Sequence, residues 1–153
     1  MDLEQLENMI HARNITLIKD DIPVDKMKGL YFDNTIIFDR SLSTSAEKIC
    51  ILAEELGHFE TGSGDILDQS QTANRKQERK AHRWAARELI TLDDIIRASK
   101  EDIHNFFELA EFLNVTEDFL REGIEILKEI YGTHVKYDGK VIQFEPLDVW
   151  EDR

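Results

Sequence analysis

Ile51-Leu52-Ala53-Glu54-Glu55-Leu56-Gly57-His58 is the stretch on which the reading of this chain turns. At about 100° per residue on a helix, His58 lies about 40° from Glu54, one turn further along the same face. Ile51 and Cys50 border that face at about 60° and about 320°, and Leu52, Leu56 and Phe59 cover the far side. Such a helix is apolar nearly all round. A Glu and a His embedded in it must be paired, hydrogen-bonded or metal-bound, because burying a lone carboxylate is costly. Glu55, at about 100°, borders the same surface and can address a ligand held there. Upstream, Thr44 and Glu47 have the spacing of a capping box, which starts the helix just after Ser43 and lets it run to about Phe59.

A second helix, expected from about Arg75 to Leu89, supplies a further carboxylate, Glu78. Ala81, Ala85 and Leu89 flank it on the helical wheel. Two alanines beside an acid let this helix approach another backbone closely, which would carry Glu78 to the Glu54/His58 face; a solvated Glu has no need of such neighbours. His82 follows Glu78 by one turn on the same face and reads first as a surface or interface packing residue, with a hydrogen bond behind the ligands as the alternative. Trp84 reads as a packing residue. Lys76, Arg79, Lys80 and Arg83 form a local basic patch, which reads as a solvated face.

Working outward, the N-terminal third is mixed. Leu3 to Ala12 has helical spacing, Ile15, Leu17 and Ile18 read as a short strand before Pro23, and Gly29–Phe32 with Thr35–Phe38 reads as a β-hairpin around Asp33-Asn34. A polar loop, Thr61 to Ala73, separates the two helices above. Helices are expected at Leu92–Ala98, Ile103–Leu113 and Glu117–Tyr131, then a second hairpin, Val135–Tyr137 with Val141–Phe144, around Asp138-Gly139. No repeat or low-complexity linker interrupts the 153 residues.

The balance of 32 acidic against 19 basic residues, a formal charge of −13, opposes partners that present phosphate, whether duplex DNA or a membrane surface. With 41% apolar residues, eight Phe and two Trp, the chain can bury a core, which argues against disorder. No apolar run is long enough for a membrane span, and the acidic Met1-Asp2-Leu3-Glu4 is unlike a secretory leader, so a cytoplasmic protein is expected. The single cysteine, Cys50, agrees with a reducing compartment and reads as a packing residue. His11, His104 and His134 have no evident partner in the sequence.

The segment Ile51–His58 resembles the metal-binding helix of the ImmA/IrrE-type metallopeptidases, whose usual form is A-H-E-L-G-H, a version of the H-E-x-x-H zinc motif. Glu78-Arg79-Lys80-Ala81-His82-Arg83-Trp84-Ala85 resembles that family's second signature, E-x-x-A-x-x-aromatic-A. The resemblance implies a zincin-like α+β fold, with a small antiparallel sheet beside a helical bundle, C-terminal helices and a β-hairpin. It implies a peptidase domain over residues 1–131, with a helical tail from about 92, followed by a hairpin and tail over 132–153. It also implies metal ligands at Glu54, His58 and Glu78, with Glu55 as the general base. Glu54 stands where the family has histidine. Two carboxylate ligands, one His and the base place more negative charge around the ion, which makes it a poorer Lewis acid and admits manganese or iron beside zinc.

Three readings of these helices compete: an active metallopeptidase, a pseudo-enzyme that acts by docking, and a structural face. The first leads. By resemblance, such a protease cleaves or inactivates a helix-turn-helix repressor of a phage or mobile element in a bacterial host, and the alternative is an inactive pseudo-protease that binds the repressor. Residues 103–126 themselves resemble a helix-turn-helix, but the second helix would carry Glu117, Asp118, Glu122 and Glu125 against Arg121. Four acids facing phosphates argue against direct DNA binding.

Overall fold

The computed structural model describes residues 1–62, 71–103 and 105–153, and the side chains of these apart from 71–73. Most of the expected Thr61–Ala73 loop, including Gly64, and also His104 lie outside the described residues. The chain divides into two compact units, Met1–Ala85 and Ala86–Arg153.

The first unit opens with α1 (Leu3–Ala12), as expected from its spacing. Asp2 caps it and forms a capping box with Gln5. Strands β1 (Thr16–Asp20), β2 (Gly29–Phe32) and β3 (Thr35–Asp39) then form a sheet in the order β1-β3-β2. Asp33 and Asn34 both have positive φ, 50° and 53°, the backbone of a type I′ turn, so the β2–β3 hairpin forms where its turn residues place it. The sheet is mixed rather than wholly antiparallel. The 21–28 connection carries the chain past β3's position to the far edge, so β3 returns parallel to β1, pairing Thr16 with Thr35 and Asp20 with Asp39.

Asp39 ties that connection down. Its carboxylate accepts hydrogen bonds from the backbone N–H of Ile22 (2.8 Å) and Ser41 (2.9 Å), and from the Ser41 hydroxyl, with Lys28 Nζ 3.8 Å away. These donors, the Ser41 hydroxyl first, hold its pKa well below the ordinary carboxylate range.

α2 (Ser45–Glu60) starts at the expected capping box, Thr44 with Glu47. It packs on α1, β2 and β3 through buried Ile49, Leu52, Ala53 and Leu56. Arg13 pairs with Glu60, and the Tyr31 and Phe59 rings meet edge to face at 6.0 Å. α3 (Gln71–Leu89) begins four residues earlier than its apolar spacing suggests, and Ala81 and Ala85 are wholly buried.

The second unit, after the last residues of α3, contains α4 (Leu92–Lys100), α5 (Phe106–Leu113) and α6 (Glu117–Tyr131), capped at Thr91, Asn105 and Thr116. A second sheet, β4 (His134–Tyr137), β5 (Lys140–Phe144) and β6 (Leu147–Glu151), is an antiparallel meander. Its β4–β5 turn at Asp138-Gly139 is the expected hairpin. β6 was not anticipated: it follows a Glu145-Pro146 turn with a cis peptide bond and carries no Asn-Gly or Asp-Gly signal. Gly123 lets α6 approach Ile90, whose Cδ1 would stand 2.3 Å from an added Cβ. The α5–α6 pair turns at Asn114, which is left-handed (φ 56°), and Glu117, Asp118, Glu122 and Glu125 are exposed along α6, with Arg121 bound to Glu117 at 3.0 Å. Among the described residues no helix is long and apolar enough to cross a membrane.

Candidate metal centre

The site is built where α2 crosses α3. Gly57 has no side chain, and a Cβ there would lie 2.6 Å from the Ala81 carbonyl oxygen and 3.1 Å from its Cα. Backbone therefore meets backbone at this point, as the small residues of the second helix suggested, although Gly57 proves as necessary as Ala81. The face of α2 that carries Glu54 and His58 is brought against the face of α3 that carries Glu78 and His82.

Four of the five residues singled out from the sequence are directly linked. His58 Nε2 lies 3.2 Å from Glu78 Oε1, His82 Nε2 lies 3.6 Å from Glu78 Oε2, and His82 Nδ1 lies 3.5 Å from Glu54 Oε1. Glu78 is 60% exposed while His58 is only 12% exposed, so the cluster is open to solvent on the α3 side and closed against α2. The hydrogen bond from His58, then that from His82, pulls the Glu78 pKa down to about 2. Burial opposes protonation of His58, but the hydrogen bond to Glu78 and the charges of Glu78 and Glu55 outweigh it, and its pKa is raised.

Glu55, the fifth, is set beside this row. Burial pushes its pKa up to about 7; the His58 charge opposes this, the charges of Glu78 and Glu54 add to it, and a hydrogen bond from the Tyr31 backbone N–H opposes it. A cation held by His58 and Glu78 would favour the carboxylate form. Strand β2 passes so close that a Cβ on Gly29 would lie 2.5 Å from Ile51 Cγ2 and 3.1 Å from Glu55 Oε1. Sequence reasoning missed both β2 contributions, the Gly29 approach and the Tyr31 amide. A glycine opening an otherwise apolar strand was the one available signal.

The donors fit a zinc-type ion in kind, two imidazoles and two carboxylates. Bond lengths of about 2.0–2.2 Å to one tetrahedral ion set neighbouring donors about 3.3–3.6 Å apart. His82 Nε2 and Glu78 Oε2, 3.6 Å apart, have that spacing. As the side chains stand they form a row, His58–Glu78–His82–Glu54, and among the described residues no group of three or more is arranged as a ready cage. Cys50 is buried within α2, and Lys76, Arg79, Lys80 and Arg83 are exposed, as expected. Trp84 is half-buried.

Residues 11–125 match the peptidase M78 family, described as the IrrE N-terminal-like domain. No match was found among curated proteins. Among solved structures, a Mycobacterium tuberculosis transcriptional regulator is similar in fold, with a TM-score of 0.58, 16% sequence identity and 79% of this chain covered. The chain spans 40% of that regulator's length. The family match takes in the crossed helices, the strand that flanks them and the helical tail, and the chain belongs to this IrrE N-terminal-like, metallopeptidase-like family.

Proposed function

We propose that this chain is a metal-dependent endopeptidase that cleaves or inactivates a helix-turn-helix repressor of a phage or mobile element in the cytoplasm of a bacterial host. The observation that carries the proposal is the convergence of Glu55 and His58 from α2 with Glu78 and His82 from α3 at one crossing. Membership of a metallopeptidase-like family supports it. His58 and Glu78 would hold the ion, zinc by donor type, with manganese or iron as alternatives. When bound, such an ion supplies a Lewis acid that brings the pKa of a coordinated water toward about 7.

Glu55 supplies the proton acceptor. Its Oε1 lies under β2, and the Tyr31 amide fixes its orientation. A carboxylate so placed takes a proton from the attacking water and returns it to the leaving amine. The repressor would meet this acidic chain through its own basic, DNA-facing surface, which makes association weaker as salt rises.

Incubation with a repressor encoded beside this chain, followed by intact mass measurement, tests the proposal. Discrete repressor fragments that disappear in Glu55→Gln support proteolysis. An undegraded complex supports the second reading, a pseudo-protease that acts by binding, which the glutamate at position 54 favours.

A further inference from the structure

The row of four side chains has an order, and the order distinguishes its carboxylates. Glu78 stands between two imidazoles, each presenting its Nε2: His58 at 3.2 Å to one oxygen and His82 at 3.6 Å to the other. Glu54 is placed differently. It meets the opposite nitrogen of the second imidazole, His82 Nδ1, at 3.5 Å. An imidazole that binds a metal through one nitrogen characteristically gives the N–H of the other to a carboxylate, which fixes its tautomer and its ring plane. His82, with Nε2 turned to the Glu78/His58 side and Nδ1 turned to Glu54, is arranged in that way.

Resting on the metallopeptidase reading above, we propose that His82 supplies the remaining metal ligand and that Glu54 is the carboxylate that orients it. The imidazole absent from position 54 of α2 is thereby provided from α3, four residues after Glu78. One helical turn brings positions 78 and 82 to the same face, so a single helix presents a carboxylate and an imidazole together. The donor set becomes His58, His82 and Glu78: two neutral nitrogens and one carboxylate, in place of one nitrogen and two carboxylates. The excess negative charge that Glu54 would bring as a ligand is moved outward by the width of a ring. The closeness of the helices at Gly57 and Ala81 is a precondition, because His82 adjoins Ala81 in sequence and reaches α2 only from a helix packed this tightly.

The test is zinc binding by the full chain, measured by competition with a chromophoric chelator, with the visible spectrum of the cobalt(II)-loaded protein as a second readout. Wild type, His58→Ala, His82→Ala, Glu54→Gln and the double variant Glu54→His with His82→Ala are compared. His82→Ala is expected to lose zinc affinity as severely as His58→Ala and to change the cobalt spectrum. Glu54→Gln should keep the spectrum and lose only about 10- to 100-fold in affinity, the usual effect of removing an orienting partner. The double variant, with its imidazole returned to α2, should regain affinity relative to His82→Ala, which separates ligand loss from misfolding. Affinity within a few-fold of wild type in His82→Ala, with zinc lost in Glu54→Gln, would overturn the inference and leave Glu54 as the ligand and the metallopeptidase reading intact. A wild-type chain that binds neither zinc nor cobalt would overturn both.

Discussion

Replacing Gly57 by alanine adds one methyl group where two helices touch through their backbones. The new Cβ would lie 2.6 Å from the Ala81 carbonyl oxygen, 3.1 Å from its Cα and 3.2 Å from its carbonyl carbon, whereas ordinary contact begins at 3.4 Å. Backbone has no rotamer to change, so α2 and α3 must part by about 0.8 Å at this point, an overpacking strain that typically costs about 1–3 kcal/mol. Removing a helical glycine returns up to about 1 kcal/mol, because alanine loses less backbone entropy in a helix. The net loss of stability should therefore fall between about 0 and 3 kcal/mol, read as a shift in the urea midpoint without added metal. The effect on the site should be far larger. Metal–ligand distances tolerate only about ±0.2 Å, and His58 adjoins the displaced residue while Glu78 and His82 lie on the helix that is pushed away. Zinc affinity should drop at least tenfold in a protein that remains folded. Gly57→Ala protein that binds zinc as tightly as wild type would refute the claim that this backbone contact positions the donors.

Other perturbations separate the parts of the account. Gly29→Ala places a methyl group 2.5 Å from Ile51 Cγ2, a branch methyl whose χ1 is restricted in a helix, and 3.1 Å from Glu55 Oε1, so stability should drop by about 1–3 kcal/mol in urea unfolding and cleavage rate by tenfold or more, while zinc affinity stays within a few-fold. Leu56 is fully buried on the far side of α2, and Leu56→Ala should cost about 2–5 kcal/mol in urea unfolding. Zinc at about 100 times its Kd should restore about 2.7 kcal/mol of that loss if the folded site alone binds the ion. Asp39 has a folded-state pKa below its unfolded value, so its hydrogen bonds stabilise the fold above pH about 4 and are lost as the pH falls further. Asp39→Asn should accordingly lower the urea midpoint at pH 7, and the gap to wild type should close below pH about 4. A gap independent of pH would remove the carboxylate charge from the explanation.

The parts of the fold that were legible in the sequence are those fixed by local chemistry. Thr44 with Glu47 marked the start of α2, Asp33-Asn34 and Asp138-Gly139 marked two hairpins, and the spacing of Leu3, Leu6 and Ile10 marked α1. Features that depend on where a distant segment lies were not legible. The parallel pairing of β1 with β3 depends on the path of the 21–28 connection, which Asp39 holds through contacts made across 17 residues of chain. β6 joins its sheet through a proline turn that resembles any other loop. At the site, motif spacing singled out Glu54, Glu55, His58 and Glu78, and helical periodicity placed His82 on the face of Glu78. That His82 joins Glu78 to Glu54 became visible only with α3 packed against α2 at Gly57 and Ala81. The Tyr31 amide contributes through main chain, which carries no residue-type signal, and the Gly29 approach left only a glycine at the start of an apolar strand.

The most direct test of the central claim, that α2 and α3 together hold one catalytic metal ion, is the zinc content of purified protein by elemental analysis after loading and desalting. Wild type should retain one zinc per chain, and His58→Ala and Glu78→Gln should retain almost none while unfolding in urea as cooperatively as the wild type without zinc. Wild-type protein that emerges without stoichiometric metal after loading with zinc, manganese or iron would contradict the account.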